Sequence, residues 1–309
     1  MAEDLSAVTD AEMTLVDAGD YHGDGICEAP LWHPEGYFTF VRHRLNLLFA
    51  WDPATGKSKV IRENTGRMTG CALDTQGRLV CCEANNHRIT RTDPGPFGGR
   101  PADEWPKEPE VLADSWQGKS LCKPNDIIVR SDGLVYFTDP NQQKPGTTEF
   151  SGVYAIAPDG KLDLATDECE FPNGLAFSPD ESILYVAITR MPGSGCKQEA
   201  VCPHRKIRAF DVASDGTLSN NRVFADLTYE TKGGPDGMKV DTDGRVYCTS
   251  GGGVWVYAPD GHLLGIIPTP GKPRNVGFGD PDYTTLFVCA GEEIHSLRMK
   301  VKGIPSVVG

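Results

Sequence analysis

Six oxygen-bearing residues recur at one spacing along this chain. Glu28, Thr69, Asn125, Asn173, Asp236 and Asn275 each stand eight positions ahead of the last residue of a tight polar turn. The strings are EAPLWHPEG, TGCALDTQG, NDIIVRSDG, NGLAFSPDE, DGMKVDTDG and NVGFGDPDY. Two of the six are carboxylates, three are carboxamides and one is a hydroxyl. A single asparagine at the start of a strand is ordinarily a turn former. Six in equivalent register would meet at one level if their strands surround a common axis. Such a convergence could hold water in a polar network, or a hard cation. Every candidate donor is an oxygen, and calcium takes about six to eight of these. Thiolate or imidazole donors would have pointed to a softer metal. Two carboxylates would also offset a divalent charge and lower its burial cost.

The elements that must position these groups are short strands. Apolar runs follow the turns at Tyr37–Val41, Arg78–Cys82, Leu134–Thr138, Ile183–Ala187, Arg245–Thr249 and Leu286–Ala290. The turns end at Gly36, Gly77, Gly133, Glu181, Gly244 and Tyr283, at intervals of 39 to 63 residues. A second set of turns appears in WDPATGK, APDGK, ASDGT and APDGH. Polar turns with glycine between alternating strands are hairpin signals. The unit is strand, turn, strand, loop, strand, turn, strand. Repeated six times, it predicts an all-β fold: a six-bladed β-propeller of four-stranded antiparallel blades around a central channel. One domain over residues 1–309 is expected, with 1–12 as a flexible tail. A strand near Met13–Val16 should join the last blade and remove its free edge. No helix of ordinary length separates the strands, which disfavours a two-domain α/β enzyme.

Composition narrows the function. Lys plus Arg is 30 and Asp plus Glu is 43, a net charge of -13. That balance argues against nucleic acid or an anionic membrane as partner. The start MAEDLSAVTD lacks an apolar signal segment, and no run approaches membrane-spanning length, so a cytoplasmic address is expected. The ten cysteines form no C-x-x-C pair and read as buried free thiols. Cys196 and Cys202, near His204, leave open a disulfide or a metal loop. The run Gly251–Gly253 lacks the features of a phosphate loop. No Gly-x-Ser-x-Gly elbow supports a serine esterase.

Several segments together resemble a known family. They are GICEAPLW at 25–32, GRLVCCEANNHRITR at 77–91, GKSLCKPNDIIVRSDGLVYFTDP at 118–140, FPNGLAFSPDESILYVA at 171–187, GPDGMKVDTDGRVYCTSGGGVWVYAPDGHLLG at 234–265 and RNVGFGDPDYTTLFVCA at 274–290. In this order, the chain resembles the SMP-30/gluconolactonase/luciferin-regenerating-enzyme-like family over about residues 20 to 295. The resemblance implies one divalent cation in the channel. Calcium is the expected ion, with Mg2+, Mn2+ or Zn2+ as alternatives. It implies Glu28, Asn173 and Asp236 as metal positions, and Asn125 as a fourth that ligates directly or through water. It also implies hydrolysis of sugar lactones, other lactones or, in a related branch, organophosphates. The chain departs from the usual family pattern at Ala84 and Asn85 after Cys82-Glu83, and at NQQKPG after FTDP. Both departures fall near the expected substrate mouth. A third departure is FGDPD in blade six.

Lactone hydrolysis needs an electrophile and a nucleophilic water. A bound cation would polarise the carbonyl and stabilise the oxyanion. Asp236 is the candidate general base, with direct nucleophilic attack as the other route. Glu28 fits a charge-bearing ligand better than a base. Candidate substrate contacts are Asn125, Lys119, Glu83, Asn275, Arg274 and His22. Arg67 and Met68 are candidate pocket walls, and His87 a weaker candidate base. The expected partner is a small lactone, with monomer and homodimer both open. Two other readings stand beside this one: an activated-ester or phosphotriester hydrolase on the same site, and a calcium-stabilised binding propeller without catalysis.

Overall fold

The computed structural model describes residues 5–19, 24–93, 108–141, 146–189, 205–228 and 233–306. All six expected turns form, each closed by an N–H donated three residues back: Gly36 to His33, Gly77 to Asp74, Gly133 to Arg130, Glu181 to Ser178, Gly244 to Asp241 and Tyr283 to Asp280. The closing residue has positive φ in every one, including the two that are not glycine, Glu181 at 57° and Tyr283 at 55°.

These turns join the first two strands of six four-stranded antiparallel sheets. The innermost strands are Cys27–His33, Met68–Leu73, Ile127–Val129, Pro172–Phe177, Met238–Val240 and Pro273–Gly279, in blades one to six. Each touches the inner strand of the next blade, and the sixth returns to the first, so the ring is closed. The protein is an all-β six-bladed propeller. A short extra hairpin pairs Ser115–Trp116 with Lys119–Ser120. Among the described residues no helix is long and apolar enough to cross a membrane.

Strand alternation explains how the ring packs. Successive side chains point to opposite faces of a sheet. In blade one, Tyr37 and Val41 enter the layer shared with blade two. Phe38 and Phe40 enter the layer shared with blade six. The other seams have apolar layers of their own. Each fully buried large apolar side chain contributes about 1.5–3 kcal/mol. The layer between blades six and one is rich in aromatic rings, with Phe38 and Phe287 stacked at 4.3 Å.

That same seam is where the circle closes. Strand Thr14–Asp17 pairs with Glu293–Arg298 as the outermost strand of blade six. Its Asp17 forms an ion pair with the buried Arg42 of blade one and accepts from Ser58 Oγ at 2.6 Å. The expected flexible tail over 1–12 is partly docked instead. Leu5–Ala7 forms a 3-10 turn, Val8 is 1% exposed, and the Lys300 N–H donates to the Val8 carbonyl at 2.8 Å. An apolar side chain at Val8 completes the layer between blades five and six, which the polar-looking segment MAEDLSAVTD disguises. Eight cysteines are buried free thiols; Cys196 and Cys202 lie outside the described residues.

Candidate active site

The six recurrent polar residues sit at the heads of the inner strands. There the pairing with the second strand slips, between Glu28 and Leu31, Met68 and Gly70, Pro172 and Leu175, and Pro273 and Asn275. In blades three and five, Asn125 and Asp236 precede the regular strand and donate their N–H groups to Thr138 and Thr249 at 2.8 and 2.9 Å. Such slips break strict alternation and re-aim side chains. Glu28, Thr69, Asn125 and Asp236 are half-buried, and Asn173 and Asn275 are buried.

Two devices bring these heads close together. The first is glycine just after the polar residue. A Cβ on Gly174 would lie 2.2 Å from the Asp236 carbonyl oxygen, and one on Gly237 would lie 2.1 Å from Asn275 Oδ1. The second is a hydroxyl stitch between blades. Thr138 Oγ1 donates to the Asn173 carbonyl at 2.8 Å, and Thr249 Oγ1 to the Arg274 carbonyl at 2.9 Å. Thr189 Oγ1 bonds the Pro235 carbonyl in the same way. Thr69 Oγ1 donates to Pro124 at 3.2 Å, from an inner strand rather than a second one.

The result is a cluster of ionisable groups. Asn173 is anchored by its Nδ2 on Thr189 Oγ1 at 3.0 Å and also bonds the Asp236 carboxylate. Arg274 Nη1 lies 3.9 Å from Asp236 Oδ2. Burial pushes the Asp236 carboxyl up to about 6, although the Arg274 and Lys272 charges pull it down. Burial, and then the Asp236 charge, raise Glu28 well above the usual carboxylate range. Asp126, 3% exposed, is raised by burial and pulled back by the Lys239 ammonium. Burial in turn lowers Lys239, which donates to the Met238 carbonyl at 3.1 Å.

This donor set fits a hard cation. Its carboxylates are raised chiefly by burial, its other donors are carboxamides, and Asp126 Oδ2 is buried without a hydrogen bond. Among the described residues no group of three or more His, Cys, Asp or Glu side chains is arranged to hold a metal, so the set depends on its carboxamides.

The remaining sequence-derived candidates have other partners. Glu83 is fully buried and bonds Arg62, Arg88 at 2.7 Å, Asn86 at 2.8 Å and Thr90 at 3.0 Å, so its carboxylate ties blade two together. Lys119 pairs with the exposed Glu149 at 2.6 Å on the extra hairpin. His87 Nδ1 sits 2.6 Å from the Cys122 carbonyl. Asn275 Oδ1 accepts the Val276 N–H at 2.9 Å. His22 lies outside the described residues. Asp126, Lys239 and Lys272 are the groups that the spacing argument missed. Lys239 also lines a cavity of about 300 Å³ at the other end of the channel, walled by Leu31, Leu73, Val129, Phe177 and Ile304.

The closed six-bladed ring thus carries an oxygen-rich, charge-dense cluster at one end of its axis. The chain belongs to the SMP-30/gluconolactonase/LRE-like family, whose model matches residues 26–292. It is 29% identical over 303 residues to a gluconolactonase from Zymomonas mobilis, covering 89% of this chain and 79% of that protein. It is 29% identical to a pentonolactonase from Haloferax volcanii, covering 84% and 80% of the two chains. The structure of a gluconolactonase from Xanthomonas campestris superposes with a TM-score of 0.78 at 32% identity, covering 96% and 94%. Lactonase and other hydrolase activities are typical of this family: a further relative, 24% identical, is a diisopropyl-fluorophosphatase from Loligo vulgaris.

Proposed function

We propose that this protein is a metal-dependent lactonase acting on a small sugar-type lactone, with Asp236 as general base. The supporting observation is the meeting of Glu28, Asn173, Asp236 and Arg274, from four blades, at one end of the channel. Glu28, Asn173 and Asp236, with Asn125 as a fourth, would hold a divalent cation, calcium by their donor chemistry. When bound, that cation supplies Lewis acidity to the lactone carbonyl.

The chain's own groups account for the rest. Without a bound cation, burial raises the Asp236 carboxyl to about 6, so it is mostly ionised at neutral pH, and a cation held there would favour the carboxylate further. That carboxylate takes a proton from the attacking water as the new C–O bond forms at the carbonyl carbon. The ring C–O bond then breaks, and the proton passes to the departing ring oxygen. The product is an open-chain hydroxy acid, which ionises to its carboxylate in solution. The Asn173 bond fixes the carboxylate, and Arg274 keeps it in its ionised form.

The test is turnover of glucono-δ-lactone, monitored by acid release. EDTA should abolish it and Ca2+ should restore it. Asp236→Asn should lower kcat by at least about a hundredfold, the range of a lost general base, with an unchanged circular dichroism spectrum. Undiminished turnover in that variant removes Asp236 from the mechanism. Undiminished turnover in EDTA removes the cation.

A further inference from the structure

Five cationic side chains surround the polar end of the channel. Arg44 lies in the turn His43–Leu45, at the upper end of blade one. Arg67 and Lys123 lie just ahead of the inner strands of blades two and three, and Lys272 and Arg274 lie at the head of blade six. His43 Nδ1 sits 3.2 Å from the Met68 carbonyl, which brings the blade-one turn against Arg67. The Thr69 hydroxyl on the Pro124 carbonyl brings Lys123 to the same edge. The charges of Lys123, Arg67 and Arg44 all act on the His43 ring. Across the mouth, Arg274 is 3.9 Å from Asp236, and Lys272 acts on the same carboxylate.

Many of the arginines elsewhere on the ring are ion-paired. Arg62 and Arg88 pair with Glu83, Arg130 with Asp132, Arg222 with Asp211, and Arg298 with Asp282. At the mouth, Arg67, Lys123 and Lys272 have no ion-pair partner among the described residues, and Arg44 reaches only the exposed Asp24 at 3.9 Å. A chain with a net charge of -13 has ample carboxylates to neutralise them. Uncompensated like charges repel, so their gathering costs stability that an anionic ligand would return. The Arg67 backbone is also held at a φ of 52°, with its N–H on Asn46 Oδ1 at 2.6 Å. A non-glycine residue kept in the left-handed region is a cost that tends to collect at ligand sites.

We infer that the substrate is an anionic lactone, whose fixed negative charge is held by Arg44, Arg67 and Lys123 while its ring carbonyl lies at Asp236. The charged group is a phosphate, sulfonate or carboxylate remote from the ring ester. This deepens the lactonase reading and rests on it. Local positive charge in a negative molecule focuses the field on the mouth and draws the anion there.

The experiment compares kcat/KM for glucono-δ-lactone, 6-phosphoglucono-δ-lactone and a glucaric acid monolactone, each with Ca2+ added. An anionic lactone should exceed the neutral one by about tenfold or more through steering and capture. The phosphate and carboxylate arms identify which anion the mouth prefers. Raising NaCl from about 20 to about 300 mM should lower the anionic value several-fold and bring the ratio toward one. The double variant Arg67→Gln/Lys123→Gln should reduce the anionic-to-neutral ratio, chiefly through KM for the anionic lactone. The salt series reads the same effect without any substitution. Equal turnover of neutral and anionic lactones, with no salt dependence, overturns this inference and leaves the lactonase reading intact. Turnover of none of the three overturns both.

Discussion

Glu83 offers a sharp test of the structural argument, because sequence and structure give it different work. Its carboxylate is fully buried and satisfies two guanidinium groups, the Thr90 hydroxyl and the Asn86 carboxamide. In Glu83→Gln, the shape is kept and the charge is lost. One new N–H would face donors rather than acceptors, and two arginines would lose their counter-ion. Breaking a buried ion pair by removing one partner costs about 3–5 kcal/mol. Arg62 and Arg88 keep side-chain exposures of 11% and 23%, so water reaches them and the low end, about 3 kcal/mol, is expected. Denaturant unfolding at neutral pH should show that loss, with KM for the lactone unchanged. Acid adds a second reading. The arginines hold Glu83 below its ordinary 4.5 despite the opposing effect of burial. The carboxylate therefore stabilises the fold above 4.5, and that contribution disappears as pH falls through the lower folded value. Wild type and variant should converge in stability there. A variant with normal stability and a raised KM would refute this account and return Glu83 to the substrate.

Two further outcomes follow from the site's construction. Gly174→Ala would place a Cβ 2.2 Å from the Asp236 carbonyl oxygen, forcing blades four and five apart. Overpacking of this kind costs about 1–3 kcal/mol. Displacement of Asp236 by even about 1 Å should lower kcat about a hundredfold, so activity should fall far more than the melting temperature; an active variant would show that this contact is not limiting. The metal-free protein should also respond to pH through Asp236. Its folded pKa of about 6 lies above its ordinary 3.8, so its contribution to stability is fully present below 3.8 and is lost as pH rises through about 6. Ca2+ should reverse that trend and release protons on binding near pH 6, measured by calorimetry in two buffers of different ionisation enthalpy; binding without proton release would count against carboxylate ligation.

The ring was legible because its signals are local. Each turn is a four-residue event that the chain must make wherever it folds, and the eight-residue spacing survived even where Glu181 and Tyr283 replace glycine. The closing strand was visible near Met13–Val16 and forms at Thr14–Asp17. What was hidden depends on departures from regularity. Asp126 is one residue out of the chosen register, yet the irregular strand head leaves it buried beside Lys239. Strand alternation would put Glu83, Asn85 and His87 on one side of an extended segment, but the chain turns there, with the Asn86 N–H on the Glu83 carbonyl and His87 at a φ of 55°. The Thr138, Thr189 and Thr249 stitch spans consecutive blades, so no single segment announces it. The charged mouth draws on short segments from four blades, each ordinary when read alone.

The seam at Thr14–Asp17 has a consequence for biosynthesis. Thr14 is translated 282 residues before its partner Ser296. At a ribosomal pace of about 5–20 residues per second, that interval is roughly a quarter-minute to a minute. Throughout it the nascent chain carries an unmated sheet edge and an incomplete set of ionisable groups, since Glu28 and Arg274 lie far apart in the chain. Premature release would therefore yield no partly active enzyme, only an open arc exposed to association with its neighbours.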